Sequence, residues 1–150
     1  MTVRVKRISN KTKNQQPLPR YATGGAAGLD LRACVDIPLT VPPGARVKIP
    51  TGIAIEIPDK NMVGLVFPRS GLALKHGISL ANSVGVIDSD YKGEIFIAVF
   101  NQDKEEYTIG PGERVAQLVF VPVFRPTLVE VENLQDTARG AGGFGSTGKI

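Results

Sequence analysis

One cysteine and one histidine in 150 residues leave little scope for covalent staples or for a metal site built by the protein alone. Cys34 has no partner for an internal disulfide, and without a His or Cys cluster a structural zinc site is excluded. Cys34 is expected to be a small core residue. No apolar stretch approaches the roughly twenty residues of a membrane-spanning helix, and the N-terminus lacks the apolar segment of a secretory signal. A soluble, cytoplasmic protein with no membrane partner is expected. Acids are absent from the first twenty residues, which hold six cations: Arg4, Lys6, Arg7, Lys11, Lys13 and Arg20. The remainder carries twelve cations against fourteen acids, so the net charge of +4 is local. A solvated basic edge accounts for it, and a nucleic-acid partner is not expected. No internal repeat is present.

What is there reads as one domain with a long series of short strands. Val3 and Val5 alternate with cations. Leu29, Leu31 and Ala33 take one face of a strand and leave Asp30 and Arg32 on the other, where they could be no more than a same-face charge pair. Pro42-Pro43-Gly44 forms a turn of type II order, Ile53, Ile55 and Ile57 alternate, and residues 62–67 make a continuous apolar strand. One helix of about two turns is predicted after Pro68, with Ser70 capping its start and Gly77 ending it in a left-handed residue. His76 sits in its last turn, a favourable place for a cation. Arg69 and Ser70 at the helix start suit an anion, although a simple cap explains them as well. Gly110-Pro111-Gly112-Glu113 turns the chain into residues 114–123, an apolar strand interrupted by Gln117. That amide costs about 1 to 3 kcal/mol unless it is hydrogen-bonded, to backbone or to a ligand. Residues 128–131 are a candidate last strand.

The stretch 82–101, N-S-V-G-V-I-D-S-D-Y-K-G-E-I-F-I-A-V-F-N, is the most informative. It places Asp88, Asp90 and Tyr91 in a glycine-bounded turn followed by the apolar run 95–100, which reads as a strand buried on both faces. The turn is either an ordinary hairpin or a site held on rigid scaffold. Residues 139–148, R-G-A-G-G-F-G-S-T-G, hold five glycines and one large apolar side chain and cannot form core. Their glycines would let backbone amides close on phosphates and Phe144 offers a face for a base, although the Walker order G-x-x-x-x-G-K-[ST] is absent.

Five segments, A-A-G-L-D-L-R-A, P-R-S-G-L-A-L-K-H-G, N-S-V-G-V-I-D-S-D-Y-K-G-E, G-E-R-V-A-Q-L-V-F and R-G-A-G-G-F-G-S-T-G, resemble in order and separation the five motifs of the trimeric deoxyuridine triphosphatases, the dUTPases. The resemblance runs from Ala26 to Gly148. It implies an all-β, jelly-roll-like domain over residues 1–135, a C-terminal tail at 136–150 closing over the site, and a homotrimer whose active sites are shared between subunits. The implied reaction converts dUTP and water to dUMP and pyrophosphate, with Mg2+ on the triphosphate. Asp88 then resembles the carboxylate that activates the attacking water, and Tyr91 the ring under the deoxyribose. Asn82, Gly85 and Ile87 would read the uracil edge, and Phe144 would stack over it. Arg69, Ser70, Gly71, Gln117, Arg139, Gly145, Ser146 and Thr147 would bind phosphate, and Asp30 would hold metal-bound water. Two other readings stay in play: a dCTP deaminase-like enzyme of the same fold, which would need a deaminating acid in the hairpin and different surroundings for the base, and a module that senses nucleotide without turning it over; D-S-D-Y and the complete tail favour hydrolysis.

Overall fold

A computed structural model describes residues 2–8 and 16–143. Eleven strands and one helix follow in order: β1 (Arg4–Arg7), β2 (Leu29–Arg32), β3 (Leu39–Val41), β4 (Arg46–Pro50), β5 (Ile53–Glu56), β6 (Met62–Pro68), α1 (Ser70–His76), β7 (Ile78–Leu80), β8 (Gly85–Ile87), β9 (Phe96–Asn101), β10 (Tyr107–Ile109) and β11 (Arg114–Pro122). Every strand pairing is antiparallel. The largest sheet runs β2-β11-β6-β8, a second runs β4-β9-β7, and β1-β5 and β10-β3 form two-stranded ribbons. The all-β, jelly-roll-like class with one short helix is thus the observed one. No helix among the described residues is long and apolar enough to cross a membrane.

One hydrophobic cluster unites the sheets. Leu31, Val66, Ile87 and Leu118 enter it from the four-stranded sheet, and Ile49, Ile78, Ile97 and Val99 from the three-stranded one. The period of two in each strand sends the alternate residues outward. On the far face of the large sheet, Gln117 lies opposite Asp30 and Phe67, Val119 opposite Leu65, and Leu65 opposite Val86. Phe67, Leu65, Val119 and Val121 are only half-buried there and Val86 is 60% exposed, so the chain presents an apolar sheet face to its surroundings.

Turn chemistry follows the sequence closely. Gly44 and Gly112 occupy left-handed backbone at φ 71° and 75°, as type II turns require, and Gly77 ends α1 at φ 61°. Four expectations need correction. The N-cap of α1 is Arg69 in extended geometry with no side-chain cap, so Ser70 is the first helical residue rather than its cap. The run expected to be buried on both faces alternates instead, with Phe96 39% exposed and Phe100 half-buried. On its outer face cations of the neighbouring strand lie over the rings: Lys48 Nζ lies 3.7 Å from the Phe96 ring centroid and Arg46 lies over Phe100. Residues 128–131 form no strand, because no ladder among the described residues receives them, and Leu128 is 91% exposed. Cys34 is half-buried rather than core.

Asn101 is the buried polar residue on which the β9 end depends. It is fully buried, its Nδ2 donates to Val41 O at 2.9 Å and to Glu105 O at 2.8 Å, and its Oδ1 accepts from Asp103 N at 2.9 Å. One side chain therefore satisfies three backbone groups around the turn from β9 to β10. Asn101→Leu, which strands all three, is expected to lower unfolding free energy by about 3 kcal/mol or more in denaturant titrations at fixed protein concentration; a loss under about 1 kcal/mol would show that water replaces the amide.

Candidate active site

Two clefts collect most of the expected site residues. The first, of about 250 Å³, is lined by Asn82, Gly85, Ile87, Asp88 and Tyr91, all anticipated, and also by Glu94. β8 forms its wall, and the register explains why glycine is needed at its start. A Cβ on Gly85 would lie 3.1 Å from Val66 Cβ across the ladder and 3.5 Å from Asn82 Nδ2. Ser83 holds φ 61°, which is uncommon for a residue with a side chain, and the backbone turns there through Ser83 N to Leu80 O at 3.1 Å. That left-handed residue sets Asn82 beside β8, and nothing local beyond a polar Asn-Ser pair announces it. Beyond β8, Tyr91 N donates to Asp88 O at 3.1 Å and closes the acidic turn. Asp88 is exposed on the rim. Asp90 does not line this cleft; it faces a neighbouring groove together with Lys60, Met62 and Arg125.

The second cleft, of about 290 Å³, brings together Asp30, Arg69, Ser70, Gly71 and Gln117, with Gly28 and Arg114 beside them. Asp30 is expected as a member of a charge pair with Arg32, but its partners come from elsewhere in the chain. Arg69 Nε lies 3.3 Å from Oδ1 and Arg114 Nη1 lies 3.2 Å from Oδ2, while Arg32 donates to Gly112 O. One carboxylate thus holds two guanidiniums at the cleft mouth. Gln117 resolves its own anomaly through backbone: Nε2 donates to Pro68 O at 3.1 Å. A Cβ on Gly28 would lie 2.6 Å from Gln117 Oε1, so a larger residue there would have to displace this amide. Gly28 and Arg114 stand within quoted motifs, and only long-range pairing reveals their part in the site.

The turn that launches β11 is braced from the helix end. Tyr107 Oη donates to Glu113 Oε1 at 2.5 Å, Gly110 N donates to Glu113 Oε2 at 2.9 Å, and the His76 ring lies against Tyr107, tilted by 39° with centroids 4.6 Å apart. Burial, then the Glu113 hydrogen bond and charge, push the Tyr107 phenol up to about 12, against a smaller opposing pull from Arg69.

Arg139 joins neither cleft. Its Nε donates to Gly142 O at 2.9 Å within an exposed turn that includes left-handed Gly140. Phe144, Gly145, Ser146 and Thr147 lie outside the described residues. Among the described residues no group of three or more His, Cys, Asp or Glu side chains is placed to hold a metal.

The two clefts share no lining residue, and strand register says why. Ile87 lies opposite Gly64, so Asp88 is level with Val63, whereas Arg69 follows the other end of β6 at Pro68. Six residues of strand at about 3.3 Å each put them roughly 20 Å apart.

A family model described as dUTPase matches residues 14–148. The chain is 52% identical over 149 residues to the deoxyuridine 5'-triphosphate nucleotidohydrolase of Acinetobacter baumannii, covering 99% of each. It is 54% identical to the one of Desulfitobacterium hafniense, covering 98% of this chain and 97% of that protein. Among solved structures, the dUTPase of Staphylococcus bacteriophage 80alpha with dUPNHPP superposes with a TM-score of 0.85 at 30% identity over 98% of both chains. A variant of the dUTPase from phage phi11 of S. aureus, described with a coordinated structural Mg(II) ion, superposes at 0.78 with 25% identity, over 91% of this chain and 100% of that one.

The Tyr107 brace makes a pH signature. A phenol whose folded pKa lies above its ordinary value of 10.0 adds stability that is fully present below pH 10 and is lost as pH rises towards 12. Tyrosinate absorbance is expected to show a component near pH 12, and unfolding stability a decline over that window, both missing in Tyr107→Phe. An identical titration in that variant would remove the brace.

Proposed function

The chain belongs to the dUTPase family, and from that premise we propose how its two clefts divide the work between them. The reaction is the hydrolysis of dUTP to dUMP and pyrophosphate. The observation that carries the division is the separation of Asp88 from Arg69 along nearly the whole of β6. The base and sugar fit the cleft of Asn82, Gly85, Ile87 and Tyr91, where the backbone groups of β8 present a fixed order of donors and acceptors. The triphosphate fits the cleft of Arg69, Ser70, Gly71 and Gln117. One nucleotide cannot bridge roughly 20 Å of sheet while keeping its α-phosphorus beside Asp88. The phosphate cleft that serves Asp88 therefore comes from another copy of the chain. The half-exposed apolar face of Phe67, Leu65, Val86, Val119 and Val121 supports such an assembly, and a homotrimer suits it.

In that site Asp88 takes the proton of a water lined up on the α-phosphorus, opposite the pyrophosphate leaving group. Phosphoryl transfer asks the protein mainly for positioning and charge neutralisation, and the carboxylate supplies the first. Arg69, with the Ser70 hydroxyl and the amides of the first turn of α1, meets the charge on the phosphate oxygens. Asp30 holds Arg69 and Arg114 in place from behind. Tyr91 packs under the deoxyribose and leaves no room for a 2'-hydroxyl.

The donor set suits magnesium that arrives on the substrate rather than a resident ion. No cluster of three acidic or imidazole side chains exists among the described residues, whereas Asp30 offers one carboxylate near the phosphate cleft. Mg2+ favours substrate phosphates, water and one or two carboxylates. Bound there it would neutralise charge on the phosphate oxygens, and Asp30 would hold its water. Residues 1–135 serve as the catalytic domain and 136–150 as a closing tail, in which Arg139, Gly145, Ser146 and Thr147 add phosphate contacts and Phe144 covers the uracil. A cytoplasmic location fits a nucleotide substrate.

With magnesium, the wild-type protein is expected to release pyrophosphate from dUTP and not from UTP, dTTP or dCTP. Asp88→Asn should still bind dUTP while turning it over at least about 100-fold more slowly. Near-normal turnover by that variant would take the base role away from Asp88, and ammonia released from dCTP would point to deaminase chemistry.

A further inference from the structure

Tyr91 is 42% exposed, so core packing does not hold its ring. Three contacts do so instead. Its Oη donates to the Glu94 carbonyl oxygen at 2.8 Å. Its ring lies directly on Gly93, where an added Cβ would meet Oη at 2.6 Å, Cζ at 2.7 Å and Cε2 at 3.1 Å. Its amide is bound back to Asp88 O. The phenolic hydroxyl therefore serves an internal tether, and Gly93 is the residue that makes room for the ring to lie down.

The tether is itself anchored. Glu94 Oε1 accepts from Gly52 N at 2.7 Å, in the turn between β4 and β5 where Gly52 holds φ 69°. One residue on, Ile95 N donates to Ile53 O at 2.9 Å, and Ile95 O accepts from both Thr51 N and Thr51 Oγ1, at 3.2 Å and 2.6 Å. Thr51 and Ile95 are buried at 4% and 0% exposure. The carbonyl that receives the Tyr91 hydroxyl thus belongs to backbone fixed from two sides, whereas the turn that carries Tyr91 is exposed.

We propose that Gly93 and Glu94 are positioning residues for sugar discrimination: Gly93 by the space it leaves, Glu94 by fixing the carbonyl that holds the Tyr91 ring against the site of the 2'-carbon. The inference rests on the reading of Tyr91 given above. On that reading rejection of a single hydroxyl is steric, and it depends on ring placement to within about 1 Å, the scale on which misplacement changes rates strongly. The effect of loosening the ring should therefore fall on the choice between dUTP and UTP more than on hydrolysis of dUTP.

The test measures kcat/KM for dUTP and UTP, with thermal unfolding as a folding control, in Gly93→Ala, Glu94→Ala, Glu94→Gln and Tyr91→Ala. Gly93→Ala and Glu94→Ala are expected to lower the dUTP-to-UTP ratio about 10-fold or more, chiefly by raising UTP turnover. Glu94→Gln keeps an acceptor for Gly52 N and is expected to restore most of the ratio. Tyr91→Ala separates the two levels. If it lowers the ratio and neither Gly93→Ala nor Glu94→Ala does, positioning by these residues is overturned while the role of Tyr91 stands. If Tyr91→Ala leaves the ratio unchanged, the sugar reading fails and the inference falls with it.

Discussion

The geometry of one strand governs the molecule. β6 (Met62–Pro68) lies between β8 and β11, carries core side chains on one face and delivers the chain into Arg69 at its end. Its rise per residue is fixed by backbone chemistry, so the distance between the acid beside its start and the guanidinium beyond its end is fixed too. Neither side chain can cross it. On the proposed reading the chain carries both halves of a site and holds them apart, and the apolar outer face of the same sheet supplies a reason for copies to meet.

Around that strand the fold places polar atoms where they satisfy backbone rather than where they are free. Asn101 closes three backbone groups, Glu113 braces the turn into β11, and Glu94 and Thr51 fasten the segment that follows Tyr91. No buried side-chain nitrogen or oxygen among the described residues lacks a hydrogen-bond partner. Rigidity of this kind matters for a reaction in which the protein's main contribution is placement. The exposed turn of Asp88 and Tyr91 gains its definition from anchors buried a few residues away.

Local features were legible in the sequence because they depend on local chemistry. Gly44, Gly77 and Gly112 announce left-handed turns, and Leu29, Leu31 and Ala33 announce a strand, found over Leu29–Arg32 with Leu31 and the following Ala33 buried and Leu29 half-buried. The residues of both clefts stood out through their motifs. What escaped depends on contacts distant in sequence. Asp30 pairs with Arg114 across 84 residues instead of with nearby Arg32, and the amide of Gln117 turns to Pro68 O, 49 residues away. An unbroken apolar run at 95–100 suggested burial on both faces, since nothing local says that Lys48 and Arg46 cover Phe96 and Phe100. The same limit applies to residues 128–131, whose composition suits a strand although no edge among the described residues takes them.

On the proposed division, acid and phosphate cradle act together only across copies of the chain. Mixing subunits tests it most directly. Asp88→Asn and Arg69→Ala proteins, each inactive alone, are unfolded and refolded together at equal amounts, and pyrophosphate release from dUTP is followed. Random assembly of shared sites should return about a quarter of the wild-type activity, because some sites then draw an intact Asp88 from one chain and an intact Arg69 from another. A mixture no more active than its separate components would mean that each chain builds its site alone.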